Sequence, residues 1–331
     1  VEPNLDWELE QYEAGGIETA IFQLRGADPV LLLEHVADAD VLVVDQARIT
    51  REVIAGLTRC KLIIRHGDGY DNLEVTEASQ AGILCANKPG FWSSNVAEQT
   101  LLLALALIRR FSTQAEIAAS QPAGDADVLD LSPAMPMRRV RSMTAGIVGY
   151  GRIGSTVAAV FSALFDRVLV CDPKISAGDT LSPAGNVIGA SAQELYAHAD
   201  LVSLHVPATS ETTGMIDAAV FARMKPGSYL VNTARGVVVD TDALVEAIGS
   251  GTLAGAALDV TAPEPLSPDH PLRSFDNVIV TPHLGWYSED ALWNLRRSIV
   301  ADVIGLQQGR VPTSVLNPQI IGSPVCRLTA R

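Results

Sequence analysis

The chain has 331 residues, 48% of them hydrophobic, and a formal charge of −14; that length exceeds what one core serves, so two domains are expected. The acidic balance disfavours direct nucleic-acid binding, and the longest apolar run, residues 101–108, is far below the ~20 residues that span a bilayer. Cys60, Cys85, Cys171 and Cys326 form no CxxC pair and have no histidine at ligand spacing, so reduced thiols, no metal and a cytoplasmic setting are expected; no signal-peptide pattern follows Val1.

Short apolar strands are predicted at residues 19–22, 40–44, 61–65 and 82–86, alternating with helical segments, which implies a parallel sheet with helices on its faces. Asn95 with Glu98 three residues on looks like a capping box for an apolar helix running to about Phe111. That helix is expected to join two domains and to help form a dimer interface. Residues 120–143, rich in Pro, Gly, Asp and Arg, suggest a long surface loop. From Thr144 a second α/β unit begins, with strands expected at 145–149, 167–171, 201–205, 229–232, 256–259 and 278–281, the layout of a six-stranded doubly wound sheet. A helix from 289 to about 309 and an irregular tail close the chain.

Gly149-Tyr-Gly-Arg-Ile-Gly154 follows an apolar strand and opens an apolar helix. In that setting Gly149 permits the tight turn, Gly151 lets backbone approach a pyrophosphate, Gly154 allows helix to pack on strand, and the helix N-terminus favours the phosphates. About twenty residues later Asp172 ends the next strand, where a carboxylate binds ribose hydroxyls and repels a 2′-phosphate. NAD is thus favoured, with Lys174 nearby leaving NADP open. His205-Val206-Pro207 ends another strand and reads either as a wall of the adenine pocket or as a plain terminating turn.

Three polar groups stand at strand ends or in the following loops, where open α/β sheets bind ligands. Arg235 offers a planar fork suited to a carboxylate and a neighbouring carbonyl. His283, after a stiff Thr281-Pro282, can pass a proton as hydride arrives at or leaves carbon. Glu264, between two prolines, would favour the imidazolium of a paired histidine. Taken singly, each is more often structural or a surface charge; together they suggest a site.

Gly149 to Gly154, Val231-Asn-Thr-Ala-Arg-Gly236, Ala256-Ala-Leu-Asp-Val260 with Glu264-Pro265, and Thr281-Pro-His283 together resemble the D-2-hydroxyacid dehydrogenase family. The resemblance implies Arg235 as substrate-binding, His283 as acid/base and Glu264 as its partner. It also implies Asp259 at the nicotinamide carboxamide, Thr233 and Gly285 near the cofactor, and a homodimer. Thr100, Arg152, Ile153, Val206, Thr212 and Ala234 complete the candidate cofactor contacts. Arg65-His-Gly-Asp-Gly-Tyr-Asp71 resembles the family's glycine loop, in which the backbone at Gly67 and Gly69 holds a substrate carboxylate; a mere strand-to-helix turn is the other reading. Arg65 and Trp286-Tyr-Ser-Glu289 are similar to the family's corepressor branch, which places Arg65 and Trp286 at the substrate pocket, Trp286 as an apolar wall. Asp68 departs from the pattern: it either points away or toward a cofactor hydroxyl, or accepts a cationic or hydroxylated substrate group.

The expected fold is therefore two doubly wound parallel-sheet α/β domains of the Rossmann and flavodoxin kind with a hinge cleft. Residues 96–284 would bind NAD, and 1–95 plus 285–331 a small 2-oxo or 2-hydroxy acid. The leading function is an NAD-dependent oxidoreductase; the alternative is a dinucleotide-sensing, dimeric interaction protein.

Overall fold

A computed structural model describes residues 4–24, 26–120 and 131–328. The chain divides into two compact units, Val1–Phe91 with Ser288–Arg331, and Trp92–Tyr287.

The first unit is built on a three-stranded parallel sheet of β1 (Val41–Val44), β2 (Leu62–Arg65) and β3 (Leu84–Ala86), in the order β1-β2-β3. The central run Leu62, Ile63, Ile64 is wholly buried, as a parallel strand covered on both faces requires. Its core gathers Leu42, Val53, Ile54, Leu57, Ile63 and Ile83. Residues 19–22, expected as a strand, form none; Ile21 and Phe22 are exposed, and Phe22 stacks on His35 with ring centroids 4.7 Å apart. So short a run carries strand propensity only where a neighbouring edge accepts it. The C-terminal helix Glu289–Gln307 begins with the Ser288 side chain capping the amide of Ala291. Beyond it, Asn317 is fully buried against β3, accepting from the amide of Cys85 and donating to the carbonyl of Ile83. That side chain ties the chain's last segment to the sheet.

The second unit is a seven-stranded parallel sheet of β4 (Thr144–Val148), β5 (Arg167–Cys171), β6 (Val187–Gly189), β7 (Leu201–Leu204), β8 (Ser228–Asn232), β9 (Leu253–Leu258) and β10 (Val278–Val280). Its order is β10-β9-β8-β7-β4-β5-β6. Six strands were expected; β6 is an edge strand of three residues, too short to stand out from its surroundings. The order reverses beside β4, which pairs with β5 on one side and β7 on the other. A crevice for a ligand opens at the carboxyl ends of strands at such a reversal.

The long apolar helix runs Ser93–Ile108, burying Leu103, Ala104, Leu107 and Ile108 against Ile147, Val157 and Phe161. Asn95 is not its cap: Trp92 occupies that position without a side-chain capping bond, and the Asn95 side-chain amide donates to the carbonyl of Trp286. The helix also stops earlier than expected. Arg110 adopts a left-handed φ of 50°, which ends one helix and starts another, Phe111–Ala119. Of the expected loop at 120–143, residues 121–130 lie outside the described residues; the remainder holds single turns at Ser132–Ala134 and Val140–Ser142. Among the described residues, no helix is long and apolar enough to cross a membrane.

Candidate active site

The glycine turn leaves the end of β4 and enters the helix Arg152–Ser162. Gly149 has φ 92°, and a Cβ there would lie 2.6 Å from the carbonyl oxygen of His205; a Cβ on Gly154 would lie 2.0 Å from the carbonyl oxygen of Gly149. Protein backbone therefore forbids side chains at both positions. At Gly151 such a Cβ would meet open space, as the approach of a pyrophosphate to that backbone requires. Arg152 beside it is exposed and Ile153 half-buried.

Asp172, just past β5, accepts from the amide of Tyr150 at 2.8 Å and that of Lys174 at 2.9 Å. It pins the turn from one side and retains lone pairs for hydroxyl donors. On the other side, Nε2 of His205 lies 2.9 Å from the Ser203 hydroxyl, while its enclosed Nδ1 has no hydrogen-bond partner among the described residues. Burial pushes this ring down to about 3, so it stands beside the turn as a neutral imidazole. Val206 and Pro207 follow it, and the Thr212 hydroxyl closes that loop onto the Pro207 carbonyl at 2.5 Å.

Arg235 sits in the turn after β8. Asn232, fully buried at the strand end, accepts from the amide of Ala234 at 3.0 Å and donates to the carbonyl of Arg235 at 2.9 Å. Asn232 is not among the residues expected at the site, although an Asn at a strand end commonly organises the next turn. Nη1 of Arg235 donates to the Ala234 carbonyl at 2.7 Å. Thr233 and Ala234 are buried beside it. Thr100 is fully buried, its hydroxyl donating to the carbonyl of Val96 and lying 2.9 Å from that of Thr233. Thr100, expected among the cofactor contacts, thus stands directly beside Thr233.

His283 carries a left-handed φ of 56°, uncommon for a residue with a Cβ and frequent where a side chain must be aimed. Its Nδ1 lies 2.8 Å from Oε1 of Glu264, both side chains being about two-fifths exposed. Burial alone would raise the Glu264 carboxyl. The hydrogen bond and charge of His283, the Thr261 amide and the charge of Arg235 outweigh it and hold the group below the usual carboxylate range. His283 and Arg235, expected with Glu264 at strand ends, therefore both act on its carboxyl.

The turn bearing His283 is held by Asp259, which is 2% exposed. One carboxylate oxygen accepts from the Thr281 hydroxyl at 2.6 Å and the Leu284 amide at 3.1 Å; the other accepts from the Gly285 amide at 2.8 Å. Gln99 adds weaker contacts to Asp259 at 3.4 Å and to Thr281 at 3.3 Å. Asp259, expected at the nicotinamide, carries this turn through both of its oxygens. Trp286 follows, its ring edge-on to Trp92 at 5.3 Å and to Tyr287 at 5.4 Å.

In the other unit, residues 65–69 leave the end of β2. Arg65 reaches Asp45 at 3.3 Å and the carbonyl of His66. Gly67 has φ 152°. The carbonyls of Gly67 and Asp68 accept from the amide of Lys88 at 2.8 Å and the side chain of Asn87 at 2.6 Å. The amides of Asp68, Gly69 and Tyr70 donate to no group among the described residues. Nor do the described residues hold a cluster of three or more His, Cys, Asp or Glu placed to bind a metal.

Comparison with known proteins fits this geometry. The chain is 34% identical over 324 residues to a D-3-phosphoglycerate dehydrogenase of Archaeoglobus fulgidus, covering 96% of this chain and 58% of that one. It is also 34% identical to a glyoxylate reductase of Thermofilum pendens, covering 88% of this chain and 85% of the relative. The chain thus spans little more than half the length of the phosphoglycerate dehydrogenase. Among solved structures, a D-lactate dehydrogenase from Aquifex aeolicus, complexed with NAD and lactic acid, superposes with a TM-score of 0.79 at 28% identity, over 93% of this chain and 94% of that one. The family model for the NAD binding domain matches residues 101–285. The chain belongs to the D-isomer specific 2-hydroxyacid dehydrogenase family.

Proposed function

We propose that the protein interconverts a small 2-oxo acid and the corresponding D-2-hydroxy acid with NAD(H). The observation that carries the reading is the His283–Glu264 pair at 2.8 Å, set on a turn that Asp259 staples in place. Because Nδ1 faces a carboxylate, the ring keeps its proton on that nitrogen and turns Nε2 outward. Nε2 gives a proton to the substrate's carbonyl oxygen in reduction and takes one from the hydroxyl in oxidation. Glu264 stabilises the ring when it is charged. Arg235 orients the carbonyl and carboxylate of the substrate through its planar donors.

The space at Gly151 and the spare lone pairs of Asp172 fit a dinucleotide. Gly149, Gly151, Arg152, Ile153 and Gly154 would hold its pyrophosphate, Asp172 its adenosine ribose, and His205, Val206, Pro207 and Thr212 its adenine side. Thr233, Ala234, Asp259 and Gly285 would border the nicotinamide end, Asp259 by fixing the turn. When bound, the nicotinamide supplies or accepts the hydride. In the other unit, the unengaged amides of Asp68 and Gly69 suit the substrate carboxylate, with Arg65 adding positive charge. Trp286 supplies an apolar surface for the substrate's tail.

The small acids named for the relatives, glyoxylate and lactate, set the first panel. Turnover of these acids with NADH is expected. His283→Gln should lower kcat by roughly 10²–10⁴-fold while leaving the NADH dissociation constant within about twofold. Tight NADH binding with no turnover of any 2-oxo acid would sink the assignment in favour of a dinucleotide sensor. The same reading takes the protein as a homodimer, with Leu102 and Phe111, 60% and 64% exposed, as contact residues; light scattering tests it.

A further inference from the structure

A lysine buried to 1% exposure is rare, and Lys88 is one. It follows β3 directly, and its ammonium group meets three acceptors on the C-terminal helix: the carbonyl of Ser298 at 3.1 Å, its hydroxyl at 2.9 Å, and the carboxylate of Asp302 in a close ion pair. Asp302 is itself only 7% exposed. The preceding residue is anchored to the same end of the chain, since the Asn87 amide donates to the Ser314 carbonyl at 3.2 Å and the Ser314 hydroxyl donates to Oδ1 of Asn87 at 2.9 Å. Burial draws the Lys88 ammonium below the ordinary lysine range, and Asp302 opposes that.

The same two residues face the glycine loop with their remaining donors. The Lys88 amide takes the carbonyl of Gly67, and Nδ2 of Asn87 takes that of Asp68. A peptide whose carbonyl is fixed inward presents the next amide outward. These two bonds therefore determine where the amides of Asp68 and Gly69 point. An ion pair is an expensive way to hold a helix against a strand, because an apolar pair of equal volume does so as well or better. What a charged, multiply bonded pair adds is direction.

We infer that Asn87 and Lys88 are positioning residues for substrate binding, a strut between the C-terminal helix and the glycine loop that aims the loop amides at the substrate carboxylate. The inference rests on the dehydrogenase reading of that loop. Neither residue touches the reacting atoms; each acts through the loop backbone.

Two variants test it, Asn87→Ala and the double variant Lys88→Met with Asp302→Leu, which removes both charges and so leaves none buried alone. With glyoxylate and NADH, both should raise KM about tenfold, the loss of roughly one well-aimed hydrogen bond to a charged group, while kcat and the NADH dissociation constant stay within about threefold. Folded variants with unchanged KM overturn the strut, as do variants whose kcat and NADH affinity fall in step with KM. Should the double variant fail to fold, Asn87→Ala, which keeps the ion pair, decides alone. A wild-type chain that turns over no 2-oxo acid defeats the dehydrogenase reading instead. Hydrogen exchange over residues 66–72 then judges the strut: faster exchange in the variants supports it, and equal exchange overturns it.

Discussion

Two glycine-bearing turns leave the carboxyl ends of parallel strands, one in each unit, and they are held in opposite ways. The turn from Gly149 to Gly154 is braced by its own neighbourhood: Gly154 packs on the carbonyl of Gly149, and Asp172, one strand along, holds the amide of Tyr150. The loop at 65–69 takes its bracing from Asn87 and Lys88, which are tied in turn to Ser298, Asp302 and Ser314 more than two hundred residues later. A self-braced turn keeps its shape whatever the rest of the chain does. A loop braced from afar keeps it only while distant segments hold.

The largest effect should come from breaking the first turn. Gly154→Val puts a Cβ 2.0 Å from a backbone oxygen that cannot give way. It should cost about 3 kcal/mol of stability and abolish NADH binding, read by thermal melts and fluorescence titration. Gly151→Val sharpens the contrast, because nothing in the protein occupies that space. Its stability should stay within about 0.5 kcal/mol of wild type while NADH affinity falls at least about tenfold. Equal loss of stability in the two variants would mean that both glycines serve the fold and neither serves a ligand.

A smaller effect is expected in the second loop. At Gly67, φ is 152° and an added Cβ would meet the Arg65 guanidinium at 2.9 Å. Gly67→Ala should therefore cost about 1–2 kcal/mol and raise KM for the 2-oxo acid with NADH affinity unchanged. A rise in the NADH dissociation constant as large as the rise in KM would place this loop with the cofactor rather than the substrate.

The same contrast governs what could be read from the sequence. The glycine turn, Asp172 and the strands around them are local: six residues, a strand and an acid in order carry the physics, and β4, β5 and β7 are found where the apolar runs predict them. Arg235, Glu264 and His283 were legible as strand-end groups because parallel sheets gather their ligands there. What escaped was pairing across the chain. Nothing near Lys88 announces Asp302, and nothing near Asp259 announces that it staples the turn of His283. Asn95 and residues 19–22 failed for the reverse reason, since a local signal was present and tertiary context outvoted it: Asn95 turned to Trp286, and residues 19–22 found no strand edge.

The smallest effect belongs to Glu264, where the sign of a pH dependence separates the His283–Glu264 pair from both turns. Its carboxyl is held below the ordinary value of 4.5, because His283 and Arg235 outweigh burial. A depressed folded-state value contributes stability above the unfolded value, and the contribution is lost as pH falls through the folded one. At pH 6–8 wild type should therefore exceed Glu264→Gln by a constant margin, under about 1 kcal/mol for so exposed a pair, and the margin should shrink as pH drops below 4.5. Melting temperatures of both proteins from pH 7 to pH 3 read it directly. A margin that stays constant to pH 3 would reduce the 2.8 Å contact to a surface hydrogen bond with no hold on the charge of Glu264.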